Sequence, residues 1–440
     1  GTERQRMAED EENEYSFEFA VADDETDSQE SSEEGIEFVA DSAEFLSFLD
    51  ESSPPAGSEP VSDTMSEPVQ SSGTAQAAQG IDMETIKTPL TKLFGITHPV
   101  LLAGMNVAAG PELAAAVTNA GGLGVIGGVG YTPSFLKKQI HFLKSKLNNP
   151  NAPFGVDLLL PQVGGSARKT NYDYTEGKLP ELIDIIIDEG CKLFVSAVGV
   201  PPAWAVEKLH AAGIPVMNMI GAPKHAKKAL KAGVDIICAQ GGEGGGHTGD
   251  VATSILIPEV VDLCREAKSP LTGEPVYVVA AGGIFDGRGL AMALCLGAQA
   301  VWVGTRFICA VEAGAPKRHK NAVVNAGHHD TIRTIIFTGR PLRVLKNPYI
   351  LNWENNKQDE IKALTSKGIL PVQNEFEERA KNGEEIKPSE IATARPLLMG
   401  QCAGAIHDIL PAKNIIEDMV TDAITVLRSR TEQISAVSRL

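Results

Sequence analysis

Short apolar runs alternate with amphipathic segments through the middle of the chain, from Thr88 to Val303. The apolar runs show little polar alternation, which predicts parallel strands that are covered on both faces. Eight such strands are predicted, over residues 98–103, 123–126, 154–160, 192–197, 215–220, 235–239, 276–281 and 299–303. The helices predicted between them, several with glycine after the last turn, cover residues 111–120, 133–147, 179–188, 203–212, 223–232, 254–267 and 287–296.

This alternation predicts an α/β fold, a (β/α)₈ TIM barrel, because eight strand-and-helix units in about 215 residues approach the size of that barrel. A doubly wound open sheet is the alternative, but it normally has fewer strands and carries its glycine-rich turn after the first one. Beyond the last strand, a charged stretch at 352–387 and an amphipathic helix from Ile415 to Arg428 predict a C-terminal helical cap, or lid, packed on the barrel. The predicted division is an acidic tail at 1–85 and a barrel domain at 86–440, with the cap inserted around 310–400.

Charge is distributed unevenly along the chain. Residues 1–80 contain 22 Asp and Glu against 2 Arg and no Lys, whereas the whole chain has a formal net charge of −18, so the remainder is close to neutral. The tail is rich in Ser and Pro, which predicts disorder because too little apolar surface offsets the chain entropy. A short apolar patch, Phe45 to Leu49, leaves open a protein partner for the tail, although a solvated spacer is the simpler interpretation. The near-neutral body lacks the clustered basic face that nucleic-acid binding needs.

The six cysteines indicate a reducing compartment. None forms a C-x-x-C pair, and most lie in apolar segments, which argues against a disulfide framework or a zinc ribbon. No apolar run approaches the roughly 20 residues that span a bilayer, and the first residues are too acidic for a transit peptide. We therefore expect a cytoplasmic protein without a membrane partner, although a start at Gly1 rather than Met leaves open a targeting segment before it.

Glycine is concentrated where the predicted strands end, on the face of this barrel that carries active sites. The loops after strands seven and eight, with Gly282-Gly283 and Gly304-Thr305, are the common phosphate site of the fold. Glycine lets backbone N–H groups approach phosphate oxygens, a following helix adds its positive end, and Thr305 adds a hydroxyl donor. Each pair alone could merely turn the chain, but two pairs in the expected register predict a phosphate-bearing ligand.

The loop after the sixth strand, Gly241 to Gly249, contains six glycines and one histidine. His247 is the one side chain of this loop that exchanges protons near pH 7, and it follows the catalytic end of a strand. A lone histidine is more often structural, and metal ligation is a further alternative, but no second His or carboxylate stands at ligand spacing. We therefore predict a catalytic His247 and no metal site. A second histidine motif, His328-His329-Asp330, is predicted to begin a helix outside the barrel mouth.

Five ordered motifs resemble those of the nitronate monooxygenases, formerly called 2-nitropropane dioxygenases, between Thr88 and Arg428. They are Ala103-Gly104-Met105 with the segment through Gly124, the loop Gln240 to Gly249, Ala281 to Ile284 with Gly304 to Phe307, Thr338 to Val344, and Gly400 to Gly404. Three positions depart from the family pattern. Gly244 stands where Ala is usual and Gly104 where Pro is usual. Asp157, at the end of strand three, stands where an amide is more usual near the flavin, which weakens the substrate assignment more than the cofactor assignment.

The resemblance implies a flavoprotein oxidoreductase with noncovalent FMN as cofactor and His247 beside the reacting atoms. An alkyl nitronate would be oxidised with O₂ to a carbonyl compound and nitrite, without a nicotinamide cofactor. The implied cofactor-binding residues are Gly282, Gly283, Gly304 and Thr305 at the phosphate, and Gly104, Met105, Asn106, Asp157, Gln240, Gly245, Gly246 and Gln401 around the rest of the cofactor.

Two other functions remain open at this point. Flavin-dependent enoyl reductases of fatty-acid synthesis are similar in fold and FMN site but use NADH or NADPH. A flavin-binding scaffold that acts through its acidic tail is the non-enzyme alternative. The inosine-monophosphate dehydrogenase group shares the barrel, but it needs a cysteine in the loop after strand six, where this chain has His247.

Overall fold

A computed structural model describes residues 84–434, and eight parallel strands form its centre. The strands of the described chain are β1 (Val100–Leu102), β2 (Gly124–Gly127), β3 (Phe154–Leu159), β4 (Leu193–Ala197), β5 (Val216–Ile220), β6 (Ile236–Gln240), β7 (Gly246–His247), β8 (Tyr277–Ala281), β9 (Ala300–Val303), β10 (Thr331–Thr334) and β11 (Leu342–Leu345). The parallel sheet contains all of these except β7, β10 and β11, in the order β1-β9-β8-β6-β5-β4-β3-β2. Each of the eight predicted strands is present, with its ends within two residues of the prediction.

The sheet closes on itself between its first and last strands. Leu101 forms a parallel bridge with Leu123, which directly precedes β2. The Leu102 N–H donates to the Leu123 carbonyl at 2.9 Å, and the Leu123 N–H donates to the Val100 carbonyl at 3.0 Å. The predicted (β/α)₈ barrel is therefore confirmed, and the open-sheet alternative is wrong.

Alternation along each strand separates two apolar cores. One set of side chains fills the barrel and includes Leu101, Val125, Met217, Val279 and Trp302. The opposite set packs against the surrounding helices. A short helix before β1 closes the amino-terminal end of the barrel, because its Leu90 and Phe94 belong to the inner core. Active-site chemistry is thereby left to the carboxyl ends of the strands.

The helices are α1 (Pro89–Phe94), α2 (Pro111–Asn119), α3 (Pro133–Lys146), α4 (Leu179–Asp188), α5 (Ala203–Ala211), α6 (Pro223–Lys231), α7 (Thr253–Cys264), α8 (Gly287–Cys295), α9 (Thr305–Ile308), α10 (Lys317–Val324), α11 (Pro348–Asn356), α12 (Gln358–Ser366), α13 (Pro371–Lys381), α14 (Pro388–Ala394) and α15 (Ala412–Thr431). The last one corrects a prediction. It packs on α8 and α2, so it completes the outer ring of barrel helices and is not part of a cap. Its apolar stripe, with Ile416, Met419 and Val420, makes that contact.

The cap lies between β9 and α15 and differs from the predicted helical region. It holds α11 to α14 around a core of its own, which includes Phe337, Trp353 and Phe376. It also contains the antiparallel strands β10 and β11, and β11 pairs with β7 from the barrel loop. The sequence predicted none of these three short strands. His328-His329-Asp330 is a turn before β10 rather than the start of a helix.

Two further observations concern the part of the chain that the structure describes. No helix there is long and apolar enough to cross a membrane. No group of three or more His, Cys, Asp or Glu side chains there is arranged to hold a metal ion. The predictions made for the acidic tail fall outside residues 84–434.

Candidate active site

The glycine pairs predicted to hold a phosphate lie at the carboxyl ends of β8 and β9. Gly282 and Gly283 have φ angles of +92° and +76°, a conformation that favours glycine. A Cβ atom on Gly282 would lie 2.8 Å from the Gly241 carbonyl oxygen, so the backbone here is also too close for a side chain. Thr305 is buried, and its hydroxyl accepts a hydrogen bond from the Gly400 N–H at 2.9 Å and also lies beside the Cys402 thiol.

The N-terminus of α8 is capped by a side chain of the protein itself. The N-terminus of α8 was expected to add its positive end to the site, but Asp286 already caps it, since its carboxylate accepts the Gly289 N–H at 2.8 Å. The groups that remain as candidates for binding an anion are the N–H groups of the two glycine turns and the Thr305 hydroxyl.

The glycine-rich loop after β6 is held by several specific contacts. The Gln240 side chain donates to the Gly245 carbonyl at 3.1 Å. Arg343, which is buried in the cap, donates to the Gly242 carbonyl through Nε at 3.1 Å and through Nη2 at 2.8 Å. Glu243 caps α7, since its carboxylate accepts the Thr253 N–H and hydroxyl. The loop is therefore fixed despite its glycine content.

His247 lies in β7 and faces the cap. Its Nε2 is 3.0 Å from the Thr338 hydroxyl oxygen, a hydrogen bond between residues 91 positions apart. Burial, and secondarily the positive charge of Arg340, lowers the pKa of His247 from 6.5 to about 4. The imidazole is consequently uncharged at neutral pH and able to accept a proton.

Asp157 lies on the inner face of β3, in the barrel. Its side chain is buried, and its Oδ1 has no hydrogen-bond partner within residues 84–434. Gly104 packs directly against its carboxylate, where a Cβ atom would overlap Oδ2. This contact gives a physical reason for glycine at a position where the family usually has proline. Burial raises the pKa of Asp157 well above its usual value, which favours the protonated carboxyl group.

The loop after β1 joins this group. The Met105 sulfur lies 3.6 Å from the position of a Cβ on Gly304, and its backbone would touch a Cβ on Gly127. The structure thus brings together the ends of β1, β2, β3, β6, β8 and β9. Asn106 and Gln401 are exposed instead, although the Gln401 N–H donates to the Glu243 carbonyl at 2.9 Å.

The cap places two residues near His247 that were not predicted as site residues, Thr338 and Arg340. Arg340, in the loop between β10 and β11, donates to the Asn171 side-chain oxygen at 3.0 Å and to the Val198 carbonyl at 3.2 Å. Val198 itself has a φ of +68°, which is rare for a β-branched residue. The segment Thr338 to Val344 was noted as a family motif, and this was the one available signal for Thr338 and Arg340.

Comparison with known proteins now adds to this geometry. The model of the nitronate monooxygenase family matches residues 87–422. The chain belongs to the nitronate monooxygenase family. It is an oxidoreductase, as predicted, and the cofactor class of the family is a flavin.

Relatives in the family carry more than one activity in their names. An octahydro-1H-indene-4-carboxyl-CoA dehydrogenase of Mycobacterium tuberculosis (strain ATCC 25618 / H37Rv) is 34% identical over 78% of this chain and 98% of that protein. A probable nitronate monooxygenase of Staphylococcus saprophyticus is 30% identical over 66% of this chain and 85% of that protein. The structure of FabK from Thermotoga maritima superimposes with a TM-score of 0.63 at 31% identity, covering 80% of this chain and all of that one.

The residues present fit a flavin. Glycine at 282 and 304 keeps side chains off the two turns, as a phosphate cradle requires, and at Gly282 the neighbouring backbone would clash with a Cβ. The unpaired Oδ1 of Asp157 is a buried polar atom that needs a partner, and a flavin ring offers both donors and acceptors.

Proposed function

We propose that this protein is an FMN-dependent nitronate monooxygenase, which oxidises an alkyl nitronate with O₂ to a carbonyl compound and nitrite. The observation that carries the proposal is the uncharged His247, held by Thr338 at the mouth of a glycine-lined barrel. A neutral imidazole can remove the α-proton of a nitroalkane, or it can position the nitro group of a nitronate that is already ionised. The family match and the Staphylococcus relative support the substrate class.

The proposed FMN site uses this chain's own loops. The N–H groups of Gly282, Gly283 and Gly304, with the Thr305 hydroxyl, would hold the phosphate. Met105, with the remaining predicted residues, would line the ring: Gly104, Asn106, Asp157, Gln240, Gly245, Gly246 and Gln401. Bound FMN would supply the electron-accepting chemistry between the substrate and O₂. The close backbone approach at Gly282 and the buried hydroxyl of Thr305 support this arrangement.

Asp157 is compatible with FMN in its protonated form. A neutral carboxyl group has one donor and one carbonyl acceptor, so it presents the same two hydrogen-bonding functions as the amide that is usual at this position. Its burial keeps a negative charge away from an electron-rich ring. The departure from the family pattern therefore preserves the chemistry of the site.

The second candidate is an oxidoreductase that acts on acyl thioesters with a nicotinamide cofactor, such as an enoyl reductase. The observation in its favour is the relative named as a carboxyl-CoA dehydrogenase, which this chain matches over almost its entire length. The two candidates share the flavin and differ in the substrate and in the source of electrons.

One experiment separates these functions. The purified flavin-loaded protein is mixed anaerobically with propionate 3-nitronate, with NADH, or with NADPH, and loss of the oxidised-flavin absorbance is followed. Bleaching by the nitronate, followed by recovery on addition of O₂ and release of nitrite, is the expected result. Bleaching by a nicotinamide alone would favour the thioester enzyme. No bleaching by any of the three would favour a flavin-binding scaffold.

A further inference from the structure

Arg340 is a cation whose position is fixed by two barrel loops. Its Nε donates to Asn171, in the loop between β3 and α4, and its Nη1 donates to the Val198 carbonyl at the end of β4. Its Nη2 group makes no hydrogen bond within the described part of the chain and is not sealed in the interior. Two of the three guanidinium nitrogens are therefore held by the protein, and Nη2 keeps its donors.

Val198 shows that this placement is built into the fold. A β-branched residue with a φ of +68° is strained, and such strain persists only where the surroundings enforce it. The carbonyl group of this same residue accepts the Arg340 hydrogen bond. Strained residues of this kind cluster at binding sites.

The positive charge of Arg340 is not balanced nearby. No carboxylate forms an ion pair with Arg340 among residues 84–434, and the second arginine in the area, Arg168, donates to the Gly339 carbonyl rather than to an acid. His247 adds no negative charge, and Tyr174 lies within electrostatic range as a neutral phenol. The mouth beside His247 consequently has a surplus of positive charge, which a bound anion would balance.

We propose that Arg340 binds the anionic head of the substrate, a planar group with two oxygens such as a nitronate or a carboxylate, next to His247 and through the guanidinium donors that the protein leaves unused. A guanidinium fork matches the spacing of two oxygens in one plane, which an ammonium group does not. The position of the anion beside His247 rests on the proposed function, whereas anion binding by Arg340 does not.

The test measures binding without turnover. Flavin-loaded protein is titrated with propionate, a planar anion that the enzyme does not oxidise, and with propionamide, its neutral isostere, and the flavin absorbance shift gives each Kd. Wild type is compared with Arg340→Gln and Arg340→Lys. Asn171→Ala is the matched control, because it removes one of the two bonds that hold Arg340 but keeps the charge. Arg168→Gln is a second control, because it removes a cation near Arg340 that is not proposed to contact the anion.

We expect Arg340→Gln to weaken propionate binding about ten- to a hundredfold, the range of a charge-assisted hydrogen bond, and propionamide binding by less than about threefold. Arg340→Lys should recover only part of the loss, and Asn171→Ala and Arg168→Gln should have much smaller effects. Thermal melting of each variant shows that it is folded. The proposal is overturned if propionate does not bind wild type, if Arg340→Gln binds propionate normally, or if both ligands weaken equally. Arginine-dependent propionate binding in a protein that nitronate does not bleach would refute the proposed function and leave this inference intact.

Discussion

The lowered pKa of His247 predicts an unusual pH profile for neutral nitroalkanes. If His247 removes the α-proton, kcat/KM should depend on the fraction of uncharged imidazole. An ordinary histidine with a pKa of 6.5 would be only about one-tenth uncharged at pH 5.5, whereas a pKa of about 4 leaves it almost fully uncharged. The two cases differ about tenfold in kcat/KM at pH 5.5 relative to pH 8.

The assay is initial-rate oxidation of nitroethane between pH 4.5 and 8, with nitrite as the product measured. We expect kcat/KM to stay nearly constant down to about pH 5. Ethylnitronate, prepared beforehand, needs no base and serves as the control substrate, and flavin absorbance at each pH checks that the protein remains folded. Arg340→Gln removes the smaller of the two causes of the shift, so its acidic limb should move to higher pH but remain below 6.5.

The same pKa has a consequence for stability that must be separated from catalysis. Because the folded-state pKa lies below the unfolded value of 6.5, the stability that depends on uncharged His247 is complete above pH 6.5 and is lost as the pH falls toward 4. The free energy of unfolding falls by at most about 3 kcal/mol. Solvent reduces this effect, because the His247 side chain is partly exposed. An acidic limb at 6.5 in a fully folded protein would refute the burial argument, and a profile unchanged in His247→Asn would remove His247 from the mechanism.

Three further predictions concern single substitutions. His247→Asn should lower nitroalkane turnover on the order of 10²-fold or more, with a much smaller effect on nitronate turnover and with flavin retained, measured by steady-state kinetics and absorbance. Asp157→Asn should raise the apparent Tm relative to wild type by an amount that grows as the pH rises above about 4. The reason is that the raised folded-state pKa of Asp157 lowers the free energy of unfolding of wild type by up to about 1.4 kcal/mol per pH unit. A difference in Tm that stays constant with pH would contradict this. Gly282→Ala should release flavin and lower Tm, since a left-handed non-glycine residue costs about 1–2 kcal/mol and its Cβ meets the Gly241 carbonyl. The control is Gly213→Ala, with a φ of +72° and no atom within 4 Å, which should lower Tm but retain flavin.

The barrel was predictable from the sequence because its strands are continuous apolar runs. Segments such as Ala300–Val303 are apolar throughout and buried on both faces, so every residue contributes to the same signal. The glycine turns after β8 and β9 were also predictable, because the position of each turn after a predicted barrel strand indicates a phosphate site. The roles of these residues in binding FMN remain predictions.

The cap was not predictable in the same way. Thr331–Thr334 and Leu342–Leu345 are four residues long and mix polar with apolar side chains, and the strand they extend is Gly246–His247, a sequence with little strand preference. Arg340 and Val198 stand out only because a hydrogen bond joins them, between residues 142 positions apart in the chain. No local pattern reports such a contact. Likewise, the periodicity of α15 identifies its apolar face but not the barrel helices that cover it.

The ladder between β11 and β7 couples the cap to the loop that carries His247. Leu342 pairs with His247 and Arg343 with Gly246, while the same cap supplies the hydroxyl of Thr338 to the imidazole. Divergence confined to the cap can therefore alter the acidity and orientation of the histidine in a barrel whose own sequence is unchanged. We expect a chimera that exchanges only the cap between two relatives to change the pKa of this histidine. Such a chimera would need residues 246–247 from the donor to keep the ladder in register.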